Sequence, residues 1–510
     1  MSEIDYLSEN KKFFNDNFQK DSTEGILLFE AFYDSKQLIY GISKVALSFA
    51  KAQNLYPKIL LPLSNTEGVR DFAESVCPNS INTKRQILLF AFTKVFFIIK
   101  SFLSINKKSD IVNLIIDDCE IGKHIYDSLL IRFKESTIDY LKFRHKKSVI
   151  LEMLHFFLFK DILDNENVKC VVLGDNVYRY GLLFELCKKM GVRCIAPVNL
   201  NSFTFSKYFE NDDFNRHSFA VESNLVSELK TNEDVIDEIN TYFNNRYQGR
   251  IEQHDVLSAY KGKVAKDRNC FFNHYQLDPE KKLIVVMPHI FCDAPHAYPH
   301  TIYDDYYEWF VDTLEHLHKN KKVNFLVKEH PSAHLYNEHG IVKRILTEMG
   351  IQHLFVDTSE STVSILNNAD AIITCGGTIG IEFACMGKPV VLAAHPPYSN
   401  LGFTIENNSI AKYHERLQNI HNIDELTDSQ KRVALTTAYV MFYLSDNLTP
   451  DLEIGSERIL LGKDYDDKTL FDNIKLYNRT ALIEQNVYKK IDSFLNSNDS
   501  FLMNSANITK

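Results

Sequence analysis

The stretch Thr374–Val391, TCGGTIGIEFACMGKPVV, constrains this chain more than any other. An apolar run ends at Thr374, two glycines allow a tight turn, and a helical pattern opens at about Thr378. Met386-Gly387-Lys388-Pro389 then stops the helix and leads into a second apolar run. A buried strand, a turn, a helix and another buried strand in so short a span belong to a parallel sheet covered by helices. The turn aims first-turn N–H groups and the positive end of the helix dipole at its occupant, which suits a phosphate. Glu382, about one helical turn beyond Thr378, is placed either to accept hydrogen bonds from ribose hydroxyls or to sit as a plain charge near the helix start.

The same rhythm runs through the whole carboxy half. Strands are expected over Leu283–Met287, Val323–Val327, His353–Val356, Ala371–Thr374 and Pro389–Leu392, with helices near 304–318, 337–349, 361–368 and 378–386. Five strands and four intervening helices make a doubly wound sheet, whose ligands bind beyond the carboxyl ends of the strands. Two other motifs fall at such ends. In FLVKEHPSAH, Lys328 and His330 emerge just after a buried strand, where Pro331 blocks further pairing; they can neutralise a phosphate leaving group. In MPHIFCDAPHAYPH, His289, Asp293, His296 and His300 lie in a proline-rich loop that cannot hold helical ligand spacing, so a role in shaping the cleft is expected rather than metal binding.

The amino half reads as a second α/β domain. Strands are expected at GILLFEAFY, KILLPL, IVNLIID, VKCVVLGD and VRCIAPV, separated by helices over 36–52, IYDSLLIRFK, SVILEMLHFFLFKDIL and 179–190. Asp175 follows a strand end with Arg179 and Tyr180 opening the next helix; Asp127, Glu30 and Asp34 lie near other strand ends. A transferase that activates an acceptor hydroxyl needs a carboxylate opposite its donor site, and these four are the candidates, each also able to serve as an ordinary cap. Asp175, Asp127 and His289 are the catalytic candidates; Asp293, Arg179 and Tyr398 are candidates for substrate contact. Residues 201–278 turn polar without an evident strand and read as helical connecting material.

Three ordered motifs carry a family resemblance: KEHP at Lys328–Pro331, GGTIGIEFACMGKPVV at Gly376–Val391 and PPYSNLGFT at Pro396–Thr404. Together they resemble the capsule polysaccharide biosynthesis family, whose better understood members are GT-B glycosyltransferases adding Kdo from CMP-Kdo. The resemblance implies an α/β GT-B-type chain: two Rossmann-like, doubly wound domains facing a cleft, with a helical carboxy-terminal extension. The corresponding division is 1–270 on the acceptor side, 271–423 for the nucleotide sugar and 424–510 for the extension. Lys328, His330, Gly376, Gly377, Thr378 and Glu382 would line the donor nucleotide site. The family's Ser-Thr or Ser-Ser at the turn is Cys375-Gly376-Gly377-Thr378 here, and its Trp-Gly is Leu401-Gly402. Those departures leave the donor open among Kdo, another nonulosonic acid such as pseudaminic acid, and a UDP-sugar.

The expected protein is therefore a cytoplasmic glycosyltransferase of bacterial surface polysaccharide synthesis, passing a nucleotide-activated sugar to a glycan or glycolipid acceptor. It would use no cofactor and no obligatory metal, the CMP-sugar being a substrate. A polyol-phosphate transferase, a sugar-nucleotide epimerase and a noncatalytic glycan-binding scaffold are the rival readings. A net charge of -10 excludes a general nucleic-acid footprint. Nine scattered cysteines without a CxxC pair read as reduced thiols, and the amino terminus has no secretory pattern. Residues 86–105, QILLFAFTKVFFIIKSFLSI, are as long as a membrane span but contain Lys94 and Lys100. They read either as an amphipathic helix covering a core or as one lying on the inner leaflet with its lysines toward anionic lipid.

Overall fold

The computed structural model describes residues 3–20, 23–32, 34–62, 66–82, 87, 90, 93–199, 204–208, 221, 223–298, 300–442 and 467–497. The described residues fall into two compact units, one drawn from 1–126, 140–214 and 445–510, the other from 127–139 and 215–444.

The first unit is built on strands β1 (Ile26–Glu30), β2 (Tyr56–Leu61) and β3 (Ser80–Asn82), a short hairpin of β4 (Ile115–Ile116) and β5 (Cys119–Glu120), then β6 (Val168–Val172), β7 (Arg193–Asn199) and β8 (Thr204–Tyr208). Its sheet runs β3-β2-β1-β6-β7-β8, parallel except for β8 against β7. Strands β1 and β2 are apolar because both faces are covered; Leu27, Phe29, Ile59 and Leu61 pack with Ile39, Val45 and Phe49 from the helix Lys36–Ala52.

Two expected features of this half are corrected. The run IVNLIID is not a sheet strand. Ile111 and Val112 are buried in the short helix Lys108–Val112, and Asp117 and Asp118, both at positive φ, turn β4 back on β5. The sheet instead takes β3 at one edge and antiparallel β8 at the other, the latter in the stretch read as connecting material.

The second unit contains β9 (Leu283–Val286), β10 (Asn324–Lys328), β11 (Phe355–Val356), β12 (Ala371–Thr374) and β13 (Val390–Leu392), in the order β11-β10-β9-β12-β13, all parallel. Each expected strand lies within two residues of its place. The chain leaves β9 toward β10 on one side and returns to β12 on the other, so the sheet has its topological switch point at the carboxyl end of β9. The two doubly wound sheets agree with the α/β class expected.

The domain limits differ from those expected. The second unit begins at 215 rather than near 270, because the helices Glu233–Tyr247 and His254–Ala259 bury Val235, Ile239, Phe243 and Val256. Nor is 424–510 one extension. The helix Asp428–Phe442 belongs to the second unit, while Leu470, Ile474, Leu482, Ile491 and Phe494 complete the apolar core of the first. Residues 498–510 lie outside the described residues.

Candidate functional site

A cavity of about 150 Å³ opens at the switch point of the second unit. Three strand ends supply its walls: Met287, Pro288 and His289 after β9, Lys328, Glu329 and His330 at the end of β10, and Thr374, Gly377 and Thr378 after β12. The helix Ile379–Cys385 adds Glu382, and the helices before the sheet add Arg246, Asp255 and Tyr260. Of the six residues expected at the donor site, Lys328, His330, Gly377, Thr378 and Glu382 line this cavity and Gly376 does not.

The Gly-Gly turn is shaped by its neighbours. Gly376 donates its N–H to His289 Nε2 at 2.9 Å, and Gly377 N–H reaches Thr374 Oγ1 at 3.3 Å. Tyr398 Oη donates to the Gly377 carbonyl at 2.6 Å. A Cβ on Gly376 would meet the Tyr298 ring at 2.7 Å, and one on Gly380 would meet Tyr398 Oη at 2.2 Å. Both glycines are thus required by packing rather than by backbone conformation.

These bonds revise two roles. With Nε2 committed to Gly376, His289 carries its proton on Nδ1 and has no free lone pair for a base; burial, then the neighbouring His330, lowers it to about 3. Tyr398 is buried beneath the turn and does not line the cavity. It supports the turn rather than a substrate. Asp293 is exposed and also lies outside the cavity lining.

Burial lowers both basic groups that a phosphate would meet. Burial, with Lys263 nearby, lowers Lys328 to about 7. Its Nζ donates to the carbonyls of Glu360 at 2.9 Å and Asp357 at 3.3 Å. Burial brings His330 down to about 4, partly offset by Asp255. His330 Nδ1 accepts the Ser332 N–H at 3.1 Å, so the proton sits on Nε2 and the ring is a neutral donor. Glu382 is not open to a ribose. Arg246 holds its Oε1, and the Tyr260 hydroxyl donates to Oε2.

Arg246, Tyr260 and Asp255 were not expected, since they lie in the polar stretch taken as connecting. One signal was present. Val235, Ile239, Phe243 and Arg246 follow one another at helical spacing, so the arginine stands on the buried stripe of its helix.

The carboxylates proposed for the amino half are occupied. Asp127, which falls within the second unit, accepts the His296 backbone N–H at 3.2 Å and faces its Nδ1 at 2.7 Å, both residues being buried. In the first unit Asp34 accepts the Thr66 N–H at 2.9 Å, and Arg179 is clamped on buried Glu152 by two bonds of 2.9 Å. Asp175 accepts Asn176 N–H at 2.7 Å and closes the turn before the helix Tyr178–Met190. Glu30, at the end of β1, accepts N–H groups from Phe32 and Gly174, both at 2.6 Å. Burial outweighs those bonds and, with Asp175 nearby, raises Glu30 to about 8. Since β1 lies between β2 and β6, Glu30 and Asp175 mark the switch point of the first sheet.

Among the described residues, no helix is long and apolar enough to cross a membrane. Residues 86, 88, 89, 91 and 92 of the apolar segment lie outside the described residues. The helix Val95–Ser104 packs Phe97 against buried Phe157, ring centroids 5.4 Å apart, and leaves Phe96 88% and Leu103 68% exposed on its other side. Phe143 is 71% and Leu141 72% exposed, and the Phe143 ring lies 6.1 Å from that of Phe102. All nine cysteines are free.

No curated protein matches the chain. Among solved structures it is similar to the KpsC β-Kdo 2,4 transferase of Thermosulfurimonas dismutans, at 14% identity over 53% of this chain and 80% of that one, TM-score 0.29. It is also similar to a glycosyltransferase of Rickettsia africae, at 11% identity over 86% and 99%, TM-score 0.30. A third is the UDP-GlcNAc 2-epimerase of Neisseria meningitidis, at 10% identity over 82% and 98%, TM-score 0.24. The model of the family described as capsule polysaccharide biosynthesis protein matches residues 231–442. That span holds the entire second sheet, its cavity and the segments carrying Arg246 and Tyr260, so the similarity to the capsule polysaccharide biosynthesis family lies in the second unit.

Proposed function

We propose that the chain is a glycosyltransferase of bacterial surface polysaccharide synthesis, and that the cavity of the second unit holds the phosphate end of its nucleotide-sugar donor. The observation that carries this reading is the convergence of Lys328, His330 and the Gly377–Thr378 turn on one cavity at a sheet switch point. A phosphate entering there meets the Nε2–H of His330 beside the Gly377–Thr378 turn, at the positive end of the helix Ile379–Cys385. Its charge draws a proton onto Lys328. The developing negative charge on the departing nucleotide is then stabilised by protein groups, without a metal or cofactor.

The donor we propose is a CMP-linked ulosonic acid of the Kdo or pseudaminic acid kind, in keeping with the family. The acceptor is a growing glycan or glycolipid. Its hydroxyl would be activated by a carboxylate, for which Asp175, at a strand end of the first sheet, is the candidate. The exposed apolar residues Phe96, Leu103, Leu141 and Phe143, interleaved with Lys94, Lys100, Lys142 and Arg144, support contact with the anionic inner leaflet from the cytoplasmic side.

Thermal unfolding with CMP, CDP and UDP tests the donor assignment. CMP should raise the Tm, and His330→Ala should weaken binding by about tenfold or more. No shift with any of the three nucleotides would end the proposal; a shift confined to UDP would replace its donor.

A further inference from the structure

Away from the cavity, the helices Tyr306–Lys319 and Ile410–Gln418 are joined by a buried clasp. Trp309 Nε1 donates to Tyr413 Oη at 2.9 Å, and Thr313 Oγ1 shares a hydrogen bond with the same hydroxyl at 2.8 Å. These bonds fix the spacing of the two helices independently of what lies beside them. On the half-exposed edge of the pair, Asp312 and His316 stand one turn apart on the first helix, and His414, next to Tyr413, faces them from the second.

The three side chains lie close enough to gather about one ion. The rings of His316 and His414 stack with centroids 3.7 Å apart, and His414 Nε2 lies 2.6 Å from Asp312 Oδ2. One ligand atom from each residue falls within 4.8 Å of the others. His316 Nδ1 is 2.9 Å from the backbone carbonyl of Asp312. A carbonyl only accepts, so this nitrogen, which also lies 3.4 Å from Asp312 Oδ1, holds the proton, and Nε2 keeps the lone pair that an ion would take once the ring turns. The Tyr303 hydroxyl donates to Asp312 Oδ2, orienting the carboxylate from behind. Such outer hydrogen bonds commonly hold histidine and carboxylate ligands in place.

We propose that Asp312, His316 and His414 bind a divalent first-row transition ion of zinc's class through two imidazole nitrogens and one carboxylate oxygen, with water in the remaining position. Two nitrogen donors disfavour Mg²⁺ and Ca²⁺, which select oxygen, and suit Zn²⁺, Co²⁺ or Ni²⁺. Imidazole nitrogens bind an ion in the ring plane, so loading must swing at least one of the two rings out of the stack, bringing the donor atoms to roughly 3.4 Å apart with ligand bonds of about 2.0–2.2 Å. The proton shared by His414 Nε2 and Asp312 moves to Nδ1 or to solvent as the metal bond forms. The ion's place is structural. It pins the helix that follows the Pro396–Thr404 motif to the helix that follows the histidine-rich loop, and it takes no part in sugar transfer.

The test uses the full chain, stripped by a chelator and titrated with Zn²⁺ and, as a spectroscopic stand-in, Co²⁺. One equivalent should bind, the Tm should rise, and Co²⁺ should give the visible absorption of a low-coordinate nitrogen–oxygen site. His316→Ala and His414→Ala should each lower affinity by about tenfold or more and abolish the Tm rise, while His300→Ala, in the separate pair with His395, should change neither. Asp312→Asn keeps an acceptor for Tyr303, so its metal-free Tm should match that of the parent while Zn²⁺ affinity falls. The absence of a saturating equivalent, or unchanged affinity in the His316→Ala/His414→Ala double variant, would overturn the site.

Discussion

Arg246 grips Glu382 inside the second unit, its Nε and Nη2 lying 2.9 and 2.8 Å from Oε1, with the two side chains only 4% and 3% exposed. The pair connects a helix that precedes the sheet to the helix that starts at the Gly-Gly turn, so the cavity wall depends on two segments more than a hundred residues apart.

Removing one partner leaves the other buried and uncompensated. Arg246→Ala and Glu382→Ala are each expected to cost about 3–5 kcal/mol, whereas the double replacement Arg246→Met/Glu382→Leu should recover most of that loss. Urea unfolding of the three variants checks this. A cost below about 1 kcal/mol for Arg246→Ala would show that the pair is not holding the wall.

Lys328 should make nucleotide binding pH-dependent. Its free-state value of about 7 means that the ammonium required by a bound phosphate disappears as pH rises, and affinity should fall by up to about tenfold per unit above pH 7. Because the folded value lies below the unfolded one, burying the ammonium costs the fold its full amount below about pH 7 and nothing above about 10.5. Lys328→Met should therefore bind CMP weakly with a flat pH profile, and should gain stability most at pH 6. Calorimetric titration from pH 6 to 9 reads the first effect and thermal unfolding the second; a steep profile surviving in the variant would remove Lys328 from the account.

Gly380→Ala tests the packing beneath the turn. The added Cβ would meet Tyr398 Oη at 2.2 Å, so a loss of about 1–3 kcal/mol is expected. Tyr398→Phe deletes the obstructing oxygen and should restore part of that loss in the double variant, although it forfeits the bond to the Gly377 carbonyl. Additive losses in a double-mutant cycle would contradict the contact.

The exposed face of Val95–Ser104 should behave as a lipid-binding surface. Flotation with vesicles rich in anionic lipid should recover the parent chain at low salt and lose it progressively as salt is raised. Phe96→Ser/Leu103→Ser should abolish recovery without lowering the Tm, since neither side chain is buried. Equal recovery on neutral vesicles would argue against the lysines, and no recovery on either against the surface.

The second sheet was legible because each of its strands is a continuous apolar run closed by turn residues, a pattern that survives without knowledge of partners. The placement of Lys328, His330 and Thr378 followed from that regularity. What could not be read was occupancy. Spacing brings Glu382 to the cavity wall, but only tertiary folding reveals that Arg246 and Tyr260 take both its oxygens. His289 likewise looked like a base and serves as an acceptor for Gly376. In the first unit β3 has three residues and β8 is an antiparallel edge, both too weakly patterned to stand out, while the apolar IVNLIID spends its hydrophobicity on a short helix and a hairpin.

The discontinuity of the first unit has a consequence for synthesis on the ribosome. Leu470, Ile474, Leu482, Ile491 and Phe494 fill the same core as Leu27, Phe29 and Ile59, yet they are translated more than four hundred residues later. Until they emerge, the nascent amino half carries an uncovered apolar surface, while the second unit, complete once residue 444 is made, is free to fold first. Premature termination anywhere between the two units' last helices should therefore yield a chain whose second unit is intact and whose first unit is a substrate for chaperones and proteases.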